Sequence, residues 1–268
     1  MSATPEEAHG QVILVSAEER PDLIPAFDEL GSAVWPKFIG GDAAVVKYWG
    51  SLFSEALRRH QFLALGVDSD GNEQVLATSN SIPFRWPNPD DDASLPDEGW
   101  DAVLADGVEA IRSRQRSNAL SALAIVVSPA RRGSDLAERL IANMKTSARQ
   151  NGFDALFAPV RPTKRPAYPL TSFADYMGWT TADAAPFDPW VRKHWQLGAR
   201  IAKIAPRSMR VEAPLAQWTE WSGLRFPLSG PYHVEGGLAP LMADCESGLG
   251  LYEEPNIWMR HQLEDGGR

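Results

Sequence analysis

The chain has 268 residues, 44% of them hydrophobic, which is enough apolar material for one large domain or two small ones with a real core. Its formal charge of −9, from 26 Lys and Arg against 35 Asp and Glu, argues against general nucleic-acid binding, because phosphate backbones reward the opposite sign. No apolar run reaches 18 residues and MSATPEEAHG at the N-terminus lacks the basic-then-apolar order of a signal peptide, so neither a membrane span nor secretion is expected, and a cytoplasmic location is.

In chain order, residues 11–16 read as a first strand and Pro21 opens a helix to about residue 30. A second helix fits 44–59, where Val45, Val46, Trp49, Leu52, Phe53 and Leu57 recur on one side. Residues 62–67 and 74–83 flank DSDGNE, a hairpin signal through Asp70-Gly71. The proline- and acid-rich stretch 84–100 reads as a surface loop, and 100–114 as a helix.

Residues 118–128 are nearly continuous in apolar side chains, as in a strand buried on both faces. A helix follows over 134–150, with Leu136, Leu140, Ile141, Met144 and Ala148 on one side and Asn151-Gly152 as its stop. Residues 153–160 form the next strand, which makes one βαβ unit with parallel pairing expected. A short helix is expected over 170–177. Residues 180–230 read as irregular, with Trp179, Trp190, Trp195, Trp218 and Trp221 nearby, and 234–242 and 249–261 as two late strands. No repeat or low-complexity linker divides the chain, so one domain is expected.

Charge is unevenly spread. Residues 1–110 carry 6 basic against 20 acidic side chains, 111–165 carry 11 against 3, and 166–268 carry 9 against 12. The basic island surrounds the joint between the central strand and its helix. A helix N-terminus there offers unpaired N–H groups and the positive end of the helix dipole, which suits an anion. Neither GxGxxG nor GxxxxGK[ST] occurs, so dinucleotide and nucleoside-triphosphate loops are not indicated. Cys245 has no second cysteine to pair with, and the histidines (His9, His60, His194, His233, His261) lack HxH or HxxxH spacing, so no metal site is expected.

The joint does resemble the acetyl-CoA loop of the GNAT N-acetyltransferases, where a strand of the type LxVxP leads to R/Q-x-x-G-x-G/A at a helix start. Aligned without a gap, Ile125-Val126-Val127-Ser128-Pro129 takes the strand end and Arg132-Gly133-Ser134-Asp135-Leu136-Ala137 the loop. The order of elements agrees too, as does MGW at 177–179 where the family has LGF, and the resemblance covers about residues 11–179. It implies an α/β (α+β) fold with a mixed, mostly antiparallel sheet flanked by helices, the cosubstrate loop at 125–137, and a C-terminal extension over 180–268 that contributes late strands and acceptor contacts. It also implies acetyl-CoA or another acyl-CoA as cosubstrate, held by the backbone of Ile125, Val126 and Val127 and by the loop, and acyl transfer to a small-molecule amine.

Two departures from the family stand out. Asp135 replaces the middle glycine, where a carboxylate could cap the helix itself and repel the diphosphate, with Arg131, Arg132, Lys164 and Arg165 as a compensating surround. A helix over 100–115 stands ahead of the central strand, where the family makes a direct hairpin. The central strand has no glutamate for a general base, which leaves Glu235, Glu253, Glu254, His233 and His261, with Glu254 in EEPNIWMRH preferred. The family's tyrosine acid falls on Ala174, so Tyr176 and Tyr168 are the candidates. Three readings stay open: an N-acyltransferase using acyl-CoA, the same fold fed by a carrier-protein or aminoacyl-tRNA donor, and a degenerate non-catalytic CoA-binding protein. A homodimer is left open.

Overall fold

A computed structural model describes residues 11–89 and 91–263; MSATPEEAHG with His9, and Asp90 in the acidic loop, lie outside the described residues. One nine-stranded sheet organises the chain. β1 (Val12–Ser16), β2 (Gln61–Val67), β3 (Glu73–Phe84), β4 (Ala119–Val127) and β5 (Ala155–Val160) lie side by side in that order. β9 (Leu249–His261) follows β5, then β8 (Leu241–Asp244) and β7 (Gly230–Tyr232), while β6 (Ala199–Pro214) pairs along the other edge of β9. Only β4 and β5 are parallel, so the sheet is mixed and mostly antiparallel, as expected.

Side-chain alternation divides the apolar residues between two faces. On one, Leu63 and Leu65 of β2 meet Phe27 of α1 (Pro25–Ser32). Ile82, Phe84, Leu123, Phe157 and Trp258 meet Leu104 and Val108 of α3 (Gly99–Arg112) in the largest cluster, with Tyr48 of α2 (Ala43–Tyr48) and Trp218 of α7 (Leu215–Ser222). On the other, Leu76 and Ala77 meet Leu136 and Leu140 of α4 (Leu136–Gln150). Val160, Ile257 and Met259 there meet Val191 of α6 (Pro189–Gln196) and Met177 of α5 (Phe173–Met177). Burying these strands on both faces removes enough apolar area from water to offset much of the chain's ordering entropy.

Several sequence expectations need correction. The second helix ends at Tyr48 rather than near 59, continuing only as a 3-10 turn over Trp49–Phe53, because Gly50 and a Ser54 in extended conformation interrupt it. Residues 180–230 are not irregular: they hold α6, the 16-residue β6, α7 and the start of β7. The first late strand is shorter than 234–242, since Val234–Pro240 form a loop before β8. The β2–β3 hairpin, α3, and the β4–α4–β5 unit stand within a few residues of where the periodicity put them. Among the described residues no helix is long and apolar enough to cross a membrane.

Candidate active site

β4 pairs with β5 at Ala119, Leu120 and Ser121 only, opposite Ala155, Leu156 and Phe157. Beyond that, β4 runs on to Val127 and β5 to Val160 with no pairing between them, while β3 holds the opposite edge of β4 as far as Val127. The parallel strands therefore part after Ser121, leaving the β5-facing edge of residues 122–127 without a strand neighbour among the described residues. Backbone groups on such an edge need a partner, and an extended, amide-bearing ligand can supply one.

The chain leaves β4 through a 3-10 turn at Pro129–Arg131 and swings into α4 at Gly133, whose φ of +87° strains any other side chain. Among the described residues, no protein acceptor takes the N–H groups of Gly133, Asp135, Leu136 or Ala137. Residues 132–135 are exposed, so the amides of Gly133 and Asp135 lie at the surface, at the positive end of a 15-residue helix whose first residue, Leu136, is itself buried. Asp135 holds the N-cap position of α4, yet its carboxylate makes no capping hydrogen bond, so the anion's place is not filled from within. Of the basic surround, Arg132 is exposed and makes no ion pair among the described residues. Lys164 lies over the Phe187 ring, and Arg165 is buried with its guanidinium committed to the carbonyls of Tyr168 and Thr171.

Past the end of β5, buried polar groups converge on Glu254. It is fully buried, accepts from Arg161 Nε at 2.9 Å and from the Tyr252 hydroxyl at 2.6 Å, and takes Asn256 Nδ2 at 3.2 Å. Burial works against the Arg161 charge, but Glu254 and Tyr252 outweigh it and hold that guanidinium firmly protonated. A cavity of about 350 Å³ opens nearby, lined in part by Pro169, Leu170, Tyr232, His233 and Leu238. The Leu238 N–H donates to Tyr252 Oη at 2.9 Å, so the cavity wall is tied to the same network.

Comparison with known proteins gives this geometry a family. Arginine N-acetyltransferase avaD of Aspergillus versicolor is 34% identical over 275 residues, covering 93% of each chain. The chain belongs to the GNAT N-acetyltransferases. No family model matches this GNAT chain. Among solved structures, the loading GNATL domain of CurA from Lyngbya majuscula shares 14% identity over 95% of this chain and 98% of that one, with a TM-score of 0.61. The GphF GNAT-like decarboxylase in complex with isobutyryl-CoA shares 18% identity over 95% and 100%, with a TM-score of 0.52. These two likenesses concern the fold, and the activity that follows from family membership is that of an N-acyltransferase.

Against this GNAT frame the expected site residues separate. Ile125, Val126 and Val127 lie on the parted stretch of β4, and Arg132, Gly133, Ser134, Asp135, Leu136 and Ala137 line the open turn below it. Tyr176 is buried and donates its hydroxyl to Asp188 at 2.8 Å; burial and that carboxylate raise its pKa far above the usual phenol value. Tyr168 packs in the same aromatic group, tilted 5.7 Å from Tyr176 and edge-to-face 5.0 Å from Trp179 between ring centroids, and its hydroxyl makes no protein hydrogen bond among the described residues. His261 lies on the α4 face, 2.9 Å from His194 through ring nitrogens, away from Glu254. Glu235 and His233 are exposed on the loop before β8, and Glu253 is 3.6 Å from Arg210.

Trp100, Asp42, Asp101 and Arg161 were not singled out from sequence. Asp42 stands just ahead of the apolar run of α2, an N-cap signal that its bonds from the Ala44 and Val45 amides bear out. For the other three no local signal exists.

Proposed function

We propose that the chain transfers an acetyl or related acyl group from a CoA thioester to the amine of arginine or of a closely similar guanidine-bearing metabolite. One observation carries the acceptor: identity of 34% along 93% of both chains with a protein named for arginine acetylation. A net charge of −9 favours the approach of a cationic amine. The donor is supported by fit. A CoA thioester carries a diphosphate, suited to the free amides of Gly133, Asp135, Leu136 and Ala137, and an amide-bearing arm, suited to the unpaired edge at Ile125, Val126 and Val127.

In this reading the neutral amine attacks the thioester carbonyl, the new amide bond forms as the C–S bond breaks, and the thiolate needs a proton. Tyr168 is the better donor of the two tyrosines, since its hydroxyl has no competing acceptor among the described residues whereas that of Tyr176 is held by Asp188. Glu254 serves as a positioning carboxylate: taking a proton from the acceptor would break its ion pair with Arg161. Removal of the amine's proton is then left to solvent or to Glu253, Glu235 or His233.

Titration with acetyl-CoA and CoA, for the wild type and Arg132→Ala, tests the donor, and thiol release across arginine, agmatine, ornithine and lysine tests the acceptor. Binding at micromolar levels, weakened about fivefold or more by Arg132→Ala, and turnover confined to the guanidine-bearing amines are expected. No binding at millimolar ligand overturns the donor. Equal turnover of ornithine and lysine overturns the acceptor class.

A further inference from the structure

β4 is irregular beside the stretch where the acyl group would lie. Asn80 pairs with Ala124 and Ser81 with Ala122, so Leu123 is a bulge residue without a partner on β3. Its carbonyl is taken instead by the indole Nε1–H of Trp100, at 2.8 Å. The backbone N–H of Trp100 donates to Ser208 Oγ on β6 at 2.9 Å, and that hydroxyl donates to Asn256 Oδ1 on β9 at 2.8 Å. Asn256 reaches Glu254 in turn. A buried chain of hydrogen bonds thus runs from the β4 bulge, through the first turn of α3, to the carboxylate network of β9.

The seat of α3 is shaped for this contact. Gly99 has a φ of +38°, and a Cβ there would stand 2.3 Å from Ser208 Oγ, so glycine alone lets the helix start approach β6 so closely. Glu98 at the N-cap makes no side-chain capping bond, and one of the helix's orphan N–H groups finds Ser208 instead. The Trp100 ring is fixed by stacking on Trp49, with centroids 5.9 Å apart.

We propose that Trp100 is a positioning residue for acyl transfer, whose indole N–H holds the Leu123 bulge and so sets the parted edge of β4 relative to Glu254 on β9. A bulge residue lacks the ladder bonds that fix its neighbours, so one hydrogen bond from a rigid, stacked ring decides where it stands. The inference rests on the acyl-CoA reading above, in which the thioester lies along that edge. Small displacements there change the rate of the chemical step more than ligand affinity.

Trp100→Phe keeps an aromatic ring, though a smaller one, and removes the N–H, while Ser208→Ala breaks the far end of the chain and keeps the indole. CoA titration, kcat, KM for the acyl-CoA, melting temperature and amide exchange are measured on the full chain. Trp100→Phe is expected to bind CoA within about twofold of wild type while kcat falls about tenfold to a hundredfold, with faster exchange at residues 122–127. Ser208→Ala is expected to follow in the same direction with a smaller loss. A wild-type kcat in folded Trp100→Phe overturns the proposal; if that variant does not fold, a wild-type kcat in Ser208→Ala does. A wild type that fails to bind CoA is a failure of the acyl-CoA reading instead, and unchanged exchange at 122–127 in the variants then refutes the bulge contact by itself.

Discussion

Asp42 and Asp101 share one hydrogen: the backbone N–H of Arg210 lies 3.0 Å from a carboxyl oxygen of each. Asp42 is fully buried, and the second oxygen of Asp101 is buried without a donor among the described residues. Two carboxylates in contact in such a place cannot both be ionised. Burial, then the charge of Asp42, pushes Asp101 up to about 9, and a protonated Asp101 can donate to Asp42. The pair ties α2 and α3 to the free edge of β6.

Its consequence is a pH dependence of stability with a definite sign. Folded Asp101 keeps its proton to about pH 9, against 3.8 for the ordinary group, so folding takes up a proton between those values. The stabilisation is complete below about pH 4 and is lost as the pH rises toward 9. Asp101→Asn keeps a donor toward Asp42 and does not titrate. Its melting temperature should therefore gain on the wild type from pH 5 to pH 8.5, by about 3 °C or more at the upper end. Parallel curves would mean that Asp101 is ionised in the folded chain.

Gly99→Ala tests how tightly α3 is seated. The added carbon would meet Ser208 Oγ at 2.3 Å, Ser208 Cβ at 2.8 Å and Ala205 Cβ at 2.9 Å, in a backbone conformation that L side chains resist. A loss of about 2–4 kcal/mol is expected, read from the urea midpoint. The neighbouring exposed position Arg207→Ala, which loses only a surface ion pair, should cost well under about 1 kcal/mol. Equal midpoints for the two variants would show that β6 yields freely to the helix.

How far all this could be read from sequence depends on the distance between partners. The β4–α4 joint is local: an apolar run, Pro129, and Gly133 ahead of an amphipathic helix announce a strand, a turn and a helix start within a few residues. The long β6 was missed because among the described strands it borders only β9 and carries Arg200, Arg207, Arg210 and Glu212 toward solvent, with Pro206 and a bulge in the middle, so no apolar alternation survives over its length. Trp100 and Ser208 stand 108 residues apart, and Arg161 and Glu254 stand 93 apart. No periodicity or motif encodes such meetings. Tyr176 was a reasonable candidate by position, but Asp188, on the far side of a turn, claims its hydroxyl.

The buried histidines give a second, opposite pH slope. Burial lowers His60 and His261 to about 4 from 6.5, and His194, packed against His261, lies well below its usual value. The positive charges near them, Arg59 for His60 and Lys145 for His261, act in the same direction. These groups stay neutral when folded but bind protons when unfolded, so their contribution is complete above pH 6.5 and is lost as the pH falls through 4. Measured in Asp101→Asn, to remove the opposing slope, the melting temperature should fall from pH 7.5 to pH 5, and His60→Phe should flatten that fall. A melting temperature that is constant over this interval would place the three rings in contact with water.

The two tyrosines should separate stability from rate. Asp188 accepts the Tyr176 hydroxyl together with the amides of Lys164 at 2.8 Å and Trp190 at 2.9 Å, so it binds the segment after β5 to the start of α6. Tyr176→Phe removes one of several donors to a buried carboxylate and should cost about 1–2 kcal/mol in stability while leaving kcat near wild type. Tyr168→Phe removes a hydroxyl with no acceptor among the described residues, so its melting temperature should hardly move. If that hydroxyl protonates the departing thiolate, kcat should fall about a hundredfold and lose its alkaline limb, with KM for the acyl-CoA unchanged. The opposite pattern, a slow Tyr176→Phe and a fully active Tyr168→Phe, would require the Asp188 contact to open during turnover and would move the acid to the buried ring.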